Sequence, residues 1–449
     1  MTASTRPLNN QIKSAGEQQC LDYLSWAMQQ LQVDVAPQTL KQISGLIVQC
    51  MTAPGRYFHS LQHSFDVANG GDAIEAIAAL FHDLVYVQID GGVNALLDDR
   101  LQPFVQQVRG RLQLRDAAEM PKDPGFELVI TLFDVQPGQH LALEQNEFLS
   151  ALVAVQWLRP ILGWAELAQI VACIEATIPF RPPSPTGLLP SDQLYHKLSL
   201  VNHQFNLGLT QAEIVQAIQR AVRLINRDVA NFADPEAAIF LSYTWRLLPE
   251  LNPCLRGCST YSIREYRHAL EKTTSFMHFL DPGLIFRQFH DEPSSQHYQD
   301  MLNRAHKNLS VACLYLNVKL LAIGILEALS IQLGDTIPPV KLGGIEIPAA
   351  SHESVWQGRL PQLDAPYLAK DAIEQEVMEL LEIGRAQDSN FDIKKSPLAA
   401  FLVRYLGFCA VEDCLGQAKT FFQGSLPAEE FLAETDQTLI KVFKEAIWR

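Results

Sequence analysis

The chain has 449 residues, of which 48% are hydrophobic and 19% charged, and its formal net charge is −15. That length suits two or three domains, and that composition can bury a sizeable core, which argues against global disorder. The acidic balance argues against a nucleic-acid duplex or an anionic membrane as the main partner, because both attract basic surfaces.

A small anionic substrate remains compatible, since a metal ion can invert the field of a pocket. The eight cysteines are scattered, and only Cys254 with Cys258 and Cys409 with Cys414 lie close together. Neither pair has a second Cys/His pair at zinc-site spacing, so they read as reduced thiols of a cytosolic protein. Met1 to Gly16 lacks the apolar centre of a signal peptide.

Helical periodicity dominates the chain. Leu21 to Leu31 and Gln38 to Met51 have helical spacing. Asp72 with Glu75 forms a capping-box spacing ahead of an apolar helix from Ala73 to about Asp83, which is predicted to be central. From Gln88 to His140 the pattern is irregular, with a short helix predicted near Leu101 to Leu114. Helices follow over Leu143 to Leu158, Trp164 to Ala176 and Gln211 to Phe232, the last opened by Thr210 and Glu213. Arg181 to Pro190 holds four prolines and reads as a loop. The character changes after Asn252-Pro253, which places a boundary near residue 255 and divides the chain into 1–255 and 256–449. The second part is read as helices over Ser295 to Leu333, Ala372 to Ala386, Pro397 to Phe422 and Glu429 to Trp448, with a hairpin or extended loop over Pro338 to Ser351. Leu309 to Leu333 is strongly apolar but carries Asn317, Lys319 and Glu327, so it reads as a buried helix and not a membrane span.

Three segments carry the chemistry. In RYFHSLQHSFDVAN a helix would put His59 and His63 one turn apart on one face, joined by Asp66. A stripe of two imidazoles and a carboxylate suits a metal or acid–base site. In IAALFHDLVY, His82-Asp83 closes the apolar helix, where a buried charge is costly unless paired or bound to a metal; a solvated helix end is the plainer alternative. In the third helix, Asp228 continues the stripe Ile214, Ile218, Ala221, Ile225. A metal accounts for that placement, and an ion pair with Arg223 or Arg227 is the alternative.

These segments together resemble the HD superfamily of metal-dependent phosphohydrolases: FHSLQHSFDV, then ALFHDLVY, then a late Asp in INRDVANF. The resemblance covers roughly the first 250 residues. It implies an all-α HD-domain helical bundle, with a second helical region after it, and metal ligands His63, His82, Asp83 and Asp228. The ligand types suit one or two divalent ions, Mn, Fe, Mg, Co or Zn. The first segment is similar to the helix of cyclic-nucleotide phosphodiesterases, in which a His one turn before the metal His protonates the leaving oxygen; His59 stands there, and Asp83 bridges or orients the metal. A group of predicted bacterial HD hydrolases with HD-x-V-Y and N-E-x-x-S-A is also similar, through Tyr86, Asn146, Glu147, Ser150 and Ala151. Glu147 is the candidate to orient a metal-held water, and Asp66 to hold the ring of His63. Arg181, opening the proline-rich loop, is a candidate phosphate contact, with a surface role as the alternative. Tyr86 stands where the phosphodiesterases have a further His, and the substrate motifs of the nucleotide-specific HD branches are missing. The implied function is hydrolysis of a small phosphorylated substrate, nucleotide or cyclic-nucleotide-like. The rival readings are a non-catalytic ligand-sensing module and a helical interaction protein that forms a homodimer.

Overall fold

The computed structural model describes residues 6–90, 95–141, 145–256, 261–332, 334, 358–389 and 391–448. The chain is predominantly helical and divides into two compact units. The first comprises residues 1–230 and 283–301, the second residues 231–282 and 302–449. Where the sequence suggested one cut near residue 255, the first unit is therefore discontinuous and takes back a later segment.

In the first unit α1 (Arg6–Gln30) and α2 (Pro37–Met51) precede α3 (Leu61–Ala68) and α4 (Ala73–Phe81). All nine residues of α4 are buried, as its unbroken apolar run requires. Its start is fixed by the capping box: Asp72 accepts from the Glu75 N–H at 3.1 Å and Glu75 accepts from the Asp72 N–H at 2.6 Å. Helices α5 (Val87–Asp90) and α6 (Ala95–Leu101) lead to a hairpin of β1 (Val105–Val108) and β2 (Arg111–Leu114). The helix predicted over Leu101 to Leu114 thus ends where it was expected to begin. The reason is the Arg109-Gly110 turn, whose φ values of 50° and 80° are those of a two-residue hairpin connection.

The unit continues through α7 (Pro124–Phe133), α8 (Gln145–Leu158), α9 (Trp164–Ala176), α10 (Pro190–Gln204) and α11 (Gln211–Asp228). The α11 start is again a capping box, between Thr210 and Glu213. Residues 283–301 close the unit, with Phe289 in its core and Asn226 bonded to both backbone groups of Arg287 at 2.8 and 2.9 Å.

After α12 (Ala237–Leu251), α13 (Ile263–Phe279) and the single turn α14 (Pro282–Ile285), α15 runs 38 residues from Ser295 to Gln332. By length and composition α15 could cross a membrane, yet 78% of its most apolar window is buried inside the protein, as the reading of a core helix requires. Helix α16 (Ala372–Glu382) stops before Gly384. The single helix expected over Pro397 to Phe422 is two, α17 (Pro397–Leu406) and α18 (Phe408–Phe422), broken at Gly407 with φ 79°. The helix expected over Glu429 to Trp448 is also two, α19 (Ala428–Glu434) and α20 (Gln437–Trp448). The hairpin expected over Pro338 to Ser351 lies outside the described residues.

The second unit encloses a polar centre. The Asp392 carboxylate accepts from Trp245 Nε1 (2.8 Å), the Tyr266 hydroxyl (2.8 Å) and Lys319 Nζ (2.7 Å). Arg385 lies 4.0 Å over the Trp245 ring. These groups tie the loop after α16 to α12, α13 and α15.

Candidate metal centre

Three elements of the first unit, α3, α4 with the turn after it, and α11, deliver His63, His82, Asp83 and Asp228 to one place. His63 is the third residue of α3, whose cap Ser60 takes its N–H at 3.4 Å. His82 caps the C-terminus of α4, Asp83 follows it, and Asp228 ends α11. His63 Nε2 lies 2.8 Å from Asp228 Oδ1 and 3.7 Å from Asp83 Oδ2. His82 Nε2 lies 3.0 Å from Asp83 Oδ2 and 3.4 Å from Asp228 Oδ1. Side chains that bind one divalent ion at roughly 2.0–2.2 Å place their donor atoms roughly 3–3.5 Å apart, so these spacings suit a shared ion. Among the described residues, His63, His82 and Asp228 form a group in which each offers a donor atom within 4.8 Å of the others.

The hydrogen bonding of His82 has the same sense. Its Nδ1 lies 2.8 Å from the Ala79 carbonyl, which can only accept, so the ring proton belongs on Nδ1 and the Nε2 lone pair is left for the cluster. His82 Nε2 and Asp83 Oδ2 are both buried without a hydrogen-bond partner among the described residues. Without an ion the charges hold one another. Burial alone would lower the His82 pKa, but the carboxylates of Asp83 and Asp228 raise it well above its ordinary value. Burial would raise both aspartates, and the neighbouring imidazoles bring them below the ordinary carboxylate range instead. The ion pair expected as the alternative for Asp228 does not form: Arg223 pairs with Glu75 at 2.8 Å, and Arg227 lies 3.8 Å from the same carboxylate.

His59 is placed differently from expectation. It precedes α3, beyond the Ser60 cap, so it does not share a helical face with His63. A capping serine at that position ends the helix first. The His59 ring nevertheless stands 6.1 Å from that of His63 and edge-on to Tyr86 at 4.5 Å. Asp66 is exposed and accepts from Gln62 at 2.8 Å; it makes no hydrogen bond to His63. Arg181 is paired with Glu175, whose carboxylate its guanidinium grips at 2.7 and 2.9 Å.

Glu147 is buried in the first turn of α8, with Oε2 lacking a hydrogen-bond partner. Burial pushes its carboxyl up to about 8, assisted by the charges of Asp83 and Asp228. Its neighbours explain the spacing of the motif. Asn146 Oδ1 accepts from the Val87 N–H (3.1 Å) and Ser150 Oγ from the Val85 N–H (3.0 Å), so α8 clamps the segment after Asp83.

Arg56 has a role the sequence did not signal. Its Nη1 donates to the Asp83 carbonyl (2.6 Å), its Nη2 to that of Leu84 (3.2 Å), and the guanidinium also pairs with Asp90 at 2.8 Å. The turn that carries Asp83 is thus fixed by an arginine 27 residues earlier. A comparison with protein-family models, curated proteins and solved structures finds no match to this chain.

Proposed function

We propose that the first unit is an HD-type metal-dependent phosphohydrolase that acts on a small phosphorylated substrate. The observation that carries this reading is the convergence of two imidazole nitrogens and two carboxylate oxygens from three separate elements, with the outer nitrogen of His82 already committed to Ala79. The resemblance of these same segments to the HD superfamily suggested the reading. A divalent ion there would supply positive charge for the phosphoryl oxygens and acidify a water. His63, His82, Asp83 and Asp228 are the residues that would hold it. His59, half-buried against Tyr86, is set to pass a proton to the leaving oxygen. Arg56 and Ser150 keep the His82-Asp83 turn in place by binding its backbone.

Elemental analysis of the wild type and of Asp83→Ala, purified without a metal-affinity tag, tests the site. One or two ions per chain in the wild type, lost in the variant, support it. A metal-free wild type after incubation with Mn, Fe or Zn removes the hydrolytic reading. A screen of phosphomonoesters, phosphodiesters and nucleotides then separates an enzyme, which turns one of them over, from a sensor, which only binds.

A further inference from the structure

Three cationic side chains, Arg181, Lys197 and Arg287, gather near the C-terminal end of α9. Glu175 is buried there, and both its oxygens are occupied: Oε1 by Arg181 Nη1 (2.7 Å) and Lys197 Nζ (3.2 Å), Oε2 by Arg181 Nη2 (2.9 Å). Arg287 makes no hydrogen bond to that carboxylate among the described residues. Arg287 is nevertheless close enough for its charge to feel both Arg181 and Glu175. Only 6% of Arg287 is exposed. Its Nη2 donates to the neutral carbonyl of Ile178 (2.7 Å), and its Nη1 is buried without a hydrogen-bond partner among the described residues.

Arg181 and Lys197 both pair with the one Glu175 carboxylate, beside the carbonyl end of α9, which is equivalent to roughly half a negative charge. Arg287 itself makes no ion pair among the described residues, and the chain as a whole carries a net charge of −15. Burial, and then the nearby Arg181, pull the Arg287 pKa down to about 9, against the opposite pull of Glu175. The Arg287 backbone cannot relax away, because Asn226 holds its N–H and its carbonyl. Arg181 and Lys197 keep 25% and 18% of their side chains exposed, which leaves a way in from solvent.

We infer that Arg287, with Arg181 and Lys197, forms a binding site for a small tetrahedral oxyanion of the phosphate type, distinct from the histidine–aspartate cluster. The anion would supply acceptors to Arg287 Nη1 and to the exposed faces of Arg181 and Lys197, while Glu175 keeps the two outer cations in place.

The test is thermal unfolding of the full chain with inorganic phosphate, against sodium chloride at matched ionic strength. EDTA is present, so no ion at the histidine–aspartate cluster can bind the phosphate, and the result does not depend on whether the proposed hydrolase is active. The wild type should show a saturable, phosphate-specific rise in Tm. Lys197→Gln, a partly exposed position expected to fold, should raise the apparent Kd for phosphate about tenfold. Arg287→Met, if it folds, should abolish the phosphate-specific rise. Phosphate that does no more than chloride in the wild type overturns the site, and so does undiminished affinity in Lys197→Gln.

Discussion

Truncating Arg56 to Ala would leave the Asp90 carboxylate and the Asp83 carbonyl buried without their donor. Breaking a buried pair in this way costs about 3–5 kcal/mol, to be read as a loss in denaturant midpoint. Because the same guanidinium fixes the Asp83 turn, metal affinity should fall about 10–100-fold in a variant that still folds, such as Arg56→Lys; unchanged affinity would limit Arg56 to stability. On the proposed function, His59→Ala should behave oppositely, keeping its metal content and losing turnover chiefly on substrates with poor leaving groups. Glu175 gives the pH prediction. Burial would raise its carboxyl, but Arg181 and then Lys197 outweigh that and hold it below the ordinary glutamate value. Its folded pKa being depressed, Glu175 contributes stability above the unfolded value of about 4.5, lost as pH falls through the folded one. The stability gap between wild type and Glu175→Gln should therefore be widest near neutrality and close in acid, as denaturant unfolding at several pH values would show. The four proposed ligands were legible because an aspartate on an apolar stripe and a His-Asp pair closing an apolar helix are anomalies in composition. Arg56 was not, since an arginine ahead of a helix looks like any solvated residue until the chain brings the Asp83 turn to it.

Elements that end in a cap were legible, and those that end in a backbone conformation were less so. The Asp72–Glu75 and Thr210–Glu213 boxes appear in the sequence as spacings and in the structure as paired hydrogen bonds. The break between α17 and α18 depends on one glycine inside an apolar run, and periodicity alone passes over it. Gly407 has φ 79° and ψ 162°, and a Cβ there would lie 2.6 Å from the Tyr367 ring. Gly407→Ala should cost about 1–3 kcal/mol from the backbone alone, and more from the ring. Gly110, at φ 80°, has nothing within 4 Å of an added Cβ. Gly110→Ala should therefore cost only about 1 kcal/mol, by strain without collision. Equal losses for the two variants in equilibrium unfolding would refute this distinction.

At the scale of the molecule, a change of composition after residue 252 was visible, but the return of residues 283–301 to the first unit was not. That return depends on Phe289 entering the core and on Asn226 and Arg223 meeting Arg287 and Glu292, pairings remote in sequence. A chain cut after residue 255 should accordingly melt well below the full-length protein and expose apolar surface to a hydrophobic dye. In the second unit, Asp392→Asn should weaken the bond to Lys319 and leave buried positive charge uncompensated. Hydrogen–deuterium exchange should then rise in peptides of α12, α13 and α15 within residues 231–282 and 302–332, with little change around His63 and His82.

The discontinuity also sets an order of events during synthesis. A ribosome that has finished α11 has made both histidines and both aspartates of the cluster, but not the segment that completes their unit. The 71 residues from Asn231 to Met301 must still be polymerised, which takes roughly 4–14 s at ordinary elongation rates. During that interval the apolar core that Phe289 later joins lacks that side chain, and a chaperone that binds apolar surface would find its target there.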